Sequence, residues 1–255
     1  MKSVTTTTSY KKIRQTIGAL GVALPVLIYI HTGWIGGCWC LQDSISHYFY
    51  TTGNVFFEGV LWILGLVLIY YPAHRTEKRG DVILTTLSGI FAWGVALIPT
   101  NNMSQDSCAI FNFPPNSYIR NGIHLACAGS MLLIFSYISI KLFTRGNPES
   151  YTDENPIKWK KIRNHIYRTC GWTIVVSILS IGALTLWEPM GTTIPFKYTF
   201  WFEVTSIVPF GIAWLIKGGF LFTDKDDAST VERAKNLLFK SKQPKKDQAE
   251  NPLTE

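Results

Sequence analysis

The stretch CGWTIVVSILSIGALTLW, residues 170–187, decides the fold. It carries no charged residue, and as a helix rising 1.5 Å per residue it covers about 27 Å. That is close to the ~30 Å hydrocarbon layer of a bilayer. Backbone polar groups in lipid must be satisfied within the segment, so a lone apolar run of this length is a helix. The strict alternation of a barrel strand is absent.

Five more blocks repeat the pattern. LGVALPVLIYI (20–30) and VLWILGLVLIYY (60–71) are typical. The spans predicted are roughly 16–35, 54–72, 82–99, 119–143, 169–187 and 198–217. The chain of 255 residues is 47% hydrophobic and only 16% charged. Its apolar residues lie in these blocks, which excludes disordered, collagen-like and disulfide-scaffold classes and argues against an ordinary soluble domain. The expected fold is all-α: a polytopic membrane bundle of six transmembrane helices. No internal repeat is evident.

Charge orients the bundle. Of 24 Lys and Arg residues, 22 fall in the amino-terminal arm, the loop after span two, the segment 141–168 and the tail from Lys217 onward. Only Arg120 and Lys197 lie on the other side. The positive-inside rule then places both termini in the cytoplasm. The net charge of +7 is therefore a topology signal with attraction to anionic lipid, and it needs no nucleic-acid partner. A basic arm before an apolar run also has the form of a cleaved signal, with Ile35-Gly36-Gly37-Cys38 loosely resembling a lipoprotein box. The length of the arm and the even alternation of charge favour a retained first span.

The organisation expected is an amino-terminal arm over 1–15, a transmembrane domain over 16–222 and a charged, disordered cytoplasmic tail over 223–255. RGNPESYTDENP (145–156) reads as a loop. Aromatic residues mark the interfaces: Trp34, Trp39, Tyr118, Trp187, Tyr198 and Trp201 on one boundary, Tyr70, Tyr71, Trp172 and Trp214 on the other. Pro25 and Pro209 fall mid-span, where proline kinks a helix. Gly211, Gly182-Ala183 and Gly129-Ser130 offer small surfaces for close packing.

An ionisable residue inside lipid costs a few kcal/mol, about 3, unless it is paired or hydrated. Glu58, His124 and Glu203 therefore stand out, with His31 near the end of span one. Counted from the outer ends of their spans, all three lie within about 10 Å of the surface. Arg120 shares a helix face with His124, and Thr199, Glu203, Ser206 and Phe210 make a polar stripe on span six. The loop DSISHYFYTTGN (43–54) supplies Ser46 and His47 just above this layer. Ser46, His47, Glu58, Arg120, His124 and Glu203 are accordingly predicted to line an outward-facing polar pocket.

Three readings of that layer compete. Glu58 or Glu203 pairs with Arg120 or His124 and holds the bundle together. Alternatively the layer is a substrate or proton pathway, since His and Glu exchange protons near neutral pH. Or His47, His124 and Glu203 hold zinc and polarise a water, as in a metal-dependent intramembrane lipid hydrolase. No HxxxH, HExxH or CxxC spacing supports the zinc set, so no metal or cofactor is expected. The partners expected are membrane lipids and a small-molecule or lipid substrate, and oligomeric state is not indicated. His74 and His165 belong to the inner boundary, and Lys217 should snorkel there. Cys38, Cys40 and Cys108 fall on the outer side, so Cys108 is free to bridge either of the other two. Asn102-Met103-Ser104 matches a glycosylation acceptor.

SISHYFYTTGNVFFEG (44–59) resembles a broad group of six-span membrane proteins of uncharacterised function. The group includes bacterial families of unknown function and the damage-regulated autophagy modulators. Ile45, Ser46 and Thr51 or Thr52 match its short Ile-Ser-Asp-like motif and the Thr before span two, while His47 stands where Asp is usual. The resemblance implies the six-span layout and extends to the region of His124. A fainter likeness is to the CREST membrane hydrolases, which are similar in having Ser and His near an aqueous face. Their seventh span and its paired histidines have no counterpart here.

Overall fold

A computed structural model describes residues 2–71, 79–102, 108–110, 114–145, 156–187 and 197–221. The tail over 223–255, the loop 146–155, His74 and the Met103-Ser104 part of the acceptor site lie outside them. The described residues are all-helical, with no strand among them. Five of their helices are long and apolar enough to cross a membrane.

The apolar blocks become α1 (Lys2–Trp34), α2 (Asn54–Ile69), α3 (Arg79–Leu97), α4 (Tyr118–Tyr137), α5 (Pro156–Trp187) and α6 (Tyr198–Lys217). A π-helical turn over Ile138–Leu142 extends α4. α2 is the short one, at 16 residues. Two helices run further than their apolar cores. α1 continues back through the basic arm, where no Gly or Pro interrupts it before Gly18. α5 begins at Pro156, since proline's fixed φ and missing N–H suit the first helical position. Pro25 and Pro209 both lie inside their helices.

Neighbours in sequence pack as neighbours in space, and α1 closes on α6, which makes a ring of six helices; α4 also meets α6 across it. Each helix leaves large apolar side chains exposed, among them Val26, Leu66, Ile90, Leu133, Leu179 and Ile212. Such a belt is costly in water and suits hydrocarbon.

Small residues set the closest approaches. A methyl group on Gly18 would stand 2.6 Å from the Gly211 carbonyl oxygen, and one on Gly211 would stand 2.7 Å from the Gly18 oxygen. Gly65 and Gly89 bring α2 and α3 together in the same way. Gly171 lets α5 meet α4, where Ser136 Oγ donates to its carbonyl at 3.0 Å. Gly182 and Gly129, expected to serve this purpose, face open space.

The basic end of the ring is filled by aromatic rings. Phe135 and Phe210 stack with centroids 3.7 Å apart. The edges of Tyr71 and Phe143 meet Trp214 at 5.3 and 5.1 Å. Tyr71 and Trp214 are therefore core residues, a correction to the interfacial role read from sequence. Trp34, Tyr70, Tyr118, Trp172, Trp187 and Trp201 are exposed, as interfacial aromatics are. Asp81 and Arg145 form an ion pair at this end. Lys217 Nζ donates to the Phe143 carbonyl at 3.2 Å and sits over that ring, so it is held within the bundle and does not extend freely outward.

Candidate functional site

The opposite end of the ring is closed by the loop between α1 and α2, which is a packed element with its own short helix. A 3-10 helix, Ile45–Tyr50, buries Ile45, Tyr48 and Tyr50 almost completely. Ser44 starts it: its backbone is extended and its Oγ accepts from the His47 N–H at 3.2 Å, the usual work of a serine N-cap. The same hydroxyl lies 2.6 Å from His47 Nδ1. Segment 38–53, here called the cap, is tied to the surrounding elements on every side. Thr51 Oγ1 lies 3.2 Å from Thr32 Oγ1 of α1. Tyr50 donates through its hydroxyl to the Thr100 carbonyl at 2.5 Å. The Phe200 N–H donates to the Asp43 carbonyl at 3.0 Å, and Lys197 pairs with the Asp43 carboxylate at 2.7 Å. A disulfide, Cys38–Cys108, fastens the cap to the α3–α4 connection and settles the pairing that sequence left open.

Three of the predicted site residues meet where the cap sits on the ring: Ser46 of the cap, His124 and Glu203. His124 is 2% exposed on α4. Its Nδ1 lies 2.6 Å from the Ile98 carbonyl and its Nε2 lies 3.0 Å from Ser46 Oγ. A carbonyl has only lone pairs to offer, so Nδ1 carries the proton in this contact. Nε2 of the neutral ring then accepts, and Ser46 Oγ–H donates; the hydrogen positions are assigned from these partners. The Ile98 oxygen is available because α3 ends at Leu97, just ahead of the helix-stopping Pro99.

Glu203, partly buried on α6, reaches the start of the cap helix. Its Oε2 accepts from the Ile45 N–H at 2.5 Å, and the carboxylate also accepts from the Ser46 N–H. Those amides are the unsatisfied donors that any helix start presents, and a carboxylate suits them. Ser46 thus takes part twice: its backbone with Glu203 and its hydroxyl with His124.

The remaining predicted residues behave differently. His47 points toward Ser44 and lies near enough to His124 to interact with it electrostatically. Arg120 makes no ion pair with Glu58 or Glu203. Its guanidinium donates to the Pro99 and Pro115 carbonyls and to Asn101 Oδ1, which organises the α3–α4 connection. Glu58 is half-buried and accepts from Asn54 Nδ2, one turn earlier on its own helix, at 3.1 Å. In place of the pairing of Glu58 or Glu203 with Arg120 or His124, one of the three readings, these residues make contacts to backbone, hydroxyl and side-chain amide groups. Carbonyls and amides released at helix ends are invisible to a search for opposite charges. The Ile98-Pro99 break was the one available signal.

Among the described residues, His47, His124 and Glu203 are not drawn together as a set of ligand atoms. Both ring nitrogens of His124 are engaged by protein groups. Among the described residues, the group of three or more ligand-bearing side chains drawn together is Cys38, Cys40 and Cys108, whose sulfur atoms lie within 4.8 Å of one another. Two of those three are joined as the disulfide.

Burial pushes the Tyr48 phenol up to about 12. Tyr50 is also raised by burial, with the Arg120 guanidinium acting in the opposite direction.

The arrangement defines a helical bundle whose mouth is closed by a polar-seated cap. Comparison with known protein families, with curated proteins and with solved structures finds no match to this chain.

Proposed function

We propose that this chain is a multi-pass membrane protein with six spans and both termini cytoplasmic, and that it binds or transports a small molecule or lipid at its outer polar layer. The cap is the lid of that layer. α2 serves as the sixth span: its 16 residues cover about 24 Å, and Tyr70 and Tyr71 lengthen the apolar stretch. The sidedness rests on the partition of basic residues. The layout agrees with the six-span group that residues 44–59 resemble. The reading uses membrane lipid as partner and no cofactor.

One observation carries the functional part: the cap is seated by exchangeable polar contacts, Ser46 to His124 and the Ile45 N–H to Glu203. Such contacts can be exchanged for hydrogen bonds to a ligand's own polar groups, so that each polar group stays satisfied. The test is native mass spectrometry of the purified chain, together with thermal unfolding against a panel of lipids and polar solutes. A retained mass or ligand-dependent stabilisation is expected in the wild type, lost in Glu203→Gln and kept in His165→Ala. Absence of both effects in the wild type overturns the reading. Sidedness is tested separately in a chain keeping only Cys38 and Cys108. An impermeant maleimide added to intact cells should label Asn116→Cys and spare His165→Cys, and the opposite pattern reverses the topology.

A second reading, an intramembrane lipid hydrolase, is favoured by the polarity of one relay. Ser46 Oγ–H donates to His124 Nε2 while Nδ1 donates to a carbonyl, the sense in which a histidine withdraws a proton from a nucleophilic serine. In this form the enzyme needs no metal. A fluorophosphonate probe that labels the wild type and not Ser46→Ala would put this reading first.

A further inference from the structure

We propose that Cys40 is an exchange partner for the Cys38–Cys108 disulfide, so that the tether of the cap can move two residues along the chain. Cys40 is an exposed free thiol, and its sulfur lies within 4.8 Å of both bonded sulfurs. Cys108 is 4% exposed, whereas Cys38 is half-buried. Cys38 and Cys40 lie two residues apart, so a bond between them would close a small ring, whereas either can reach Cys108, the partner common to both pairings. Trp39 between them is a ready pivot. Its ring lies against Gly33, where an added methyl group would meet it at 2.3 Å, and it meets the edge of Tyr29 with centroids 5.7 Å apart.

The step is self-contained. Cys40 gives its proton to water, and its thiolate attacks the Cys108 sulfur. The Cys40–Cys108 bond forms as the Cys38–Cys108 bond breaks, and Cys38 leaves as a thiolate and takes up a proton from water. Cys40 is oxidised as Cys38 is reduced, with no outside oxidant or reductant. One disulfide and one thiol are present before and after. With the tether at Cys38, six residues (39–44) separate it from the cap helix; at Cys40, four residues (41–44) do. The exchange therefore shortens the leash on Ser46 without touching its polar partners. This does not depend on what the outer layer binds.

The experiment uses the full-length chain purified without reductant. One portion is trapped at once with N-ethylmaleimide; another is first held at mildly alkaline pH. Both are then unfolded, reduced, marked with a second alkylating agent, digested and mapped by mass spectrometry. The first mark should shift from Cys40 toward Cys38 during the alkaline incubation, with Cys108 free of it throughout. A first mark confined to Cys40 in both portions overturns the proposal. As a second measurement, reduced Cys38→Ser is reoxidised with glutathione disulfide and should yield a Cys40–Cys108 peptide. Persistent alkylation of Cys108 in that folded variant also overturns it. Should Cys38→Ser fail to fold, the wild-type map decides alone.

Discussion

Ser46 Oγ stands 3.0 Å from His124 Nε2 although 78 residues separate them, and this contact joins the cap to the wall of the helix ring. It belongs to a buried network in which the polar groups answer one another: hydroxyl to imidazole, imidazole to carbonyl, amides to carboxylate. A satisfied network in a low-dielectric interior is stiff, and a partly broken one is costly because each orphaned group keeps its desolvation penalty. That asymmetry ranks the substitutions.

His124→Ala orphans both the Ser46 hydroxyl and the Ile98 carbonyl and leaves a cavity. A loss of about 3–5 kcal/mol is expected. Ser46→Ala leaves the Ile98 contact in place and should cost about 1–2 kcal/mol. Thermal unfolding in detergent measures both. Equal effects would mean that the imidazole contributes nothing beyond its contact with Ser46.

The carboxylates of α2 and α6 should separate sharply. Glu203 accepts backbone amides of the cap, whereas Glu58, among the described residues, accepts from a side chain one turn away. Glu203→Ala is expected to cost about 2–4 kcal/mol, through two stranded amides, and Glu58→Ala less than about 1 kcal/mol. Gln at 203 should recover part of the loss, since its amide oxygen still accepts. Equal tolerance at 58 and 203 would place the cap's anchor elsewhere.

Glycine substitutions should follow geometry and not composition. Gly211→Ala drives a methyl group into the Gly18 backbone oxygen, so α1 and α6 must part; about 1–3 kcal/mol is the expected cost. Gly182→Ala and Gly129→Ala meet nothing within 4 Å, so better helix propensity should make them neutral or stabilising by up to about 1 kcal/mol. A destabilised Gly182→Ala would indicate a contact on that face in the assembled protein.

The fold was largely legible because hydrocarbon burial imposes a long, uniform signal: the expected spans and the helices coincide within a few residues at most ends. His124 and Glu203 were legible as well, since an ionisable group in an apolar block must have a reason to be there, and Ser46 was read from the polar loop above them. Their partners were not. Ile98 offers a main-chain oxygen, Ile45 and Ser46 offer main-chain amides, and no side-chain code announces either. Trp214 misled for a related reason: an aromatic near a span's end reads as interfacial unless the facing helix is known, and here Tyr71, Phe143 and Phe210 surround it. The cap was anticipated as a loop over a pocket. Its folding into the ring's mouth depends on Ile45, Tyr48 and Tyr50, which in sequence resemble any short apolar run.

Alkaline pH should loosen the cap before the rest of the bundle. Tyr48 is fully buried, and burial raises its phenol from an ordinary 10.0 to about 12. A group whose folded value is raised gives its full stabilisation below the unfolded value and loses it as pH climbs through the folded one. Below pH 10 the phenol is neutral in both states and the wild type should show no Tyr48-dependent change. Between 10 and 12 the unfolded chain ionises while the folded chain holds its proton, so stability falls steadily across that window. Tyr48→Phe cannot ionise and keeps the ring's packing, so its unfolding temperature should decline less steeply over the same range. The measurement is thermal unfolding of both proteins in detergent at stepped alkaline pH, with tyrosinate absorbance followed in parallel. Parallel decline of the two curves would show that Tyr48 ionises freely and that the cap is open to solvent.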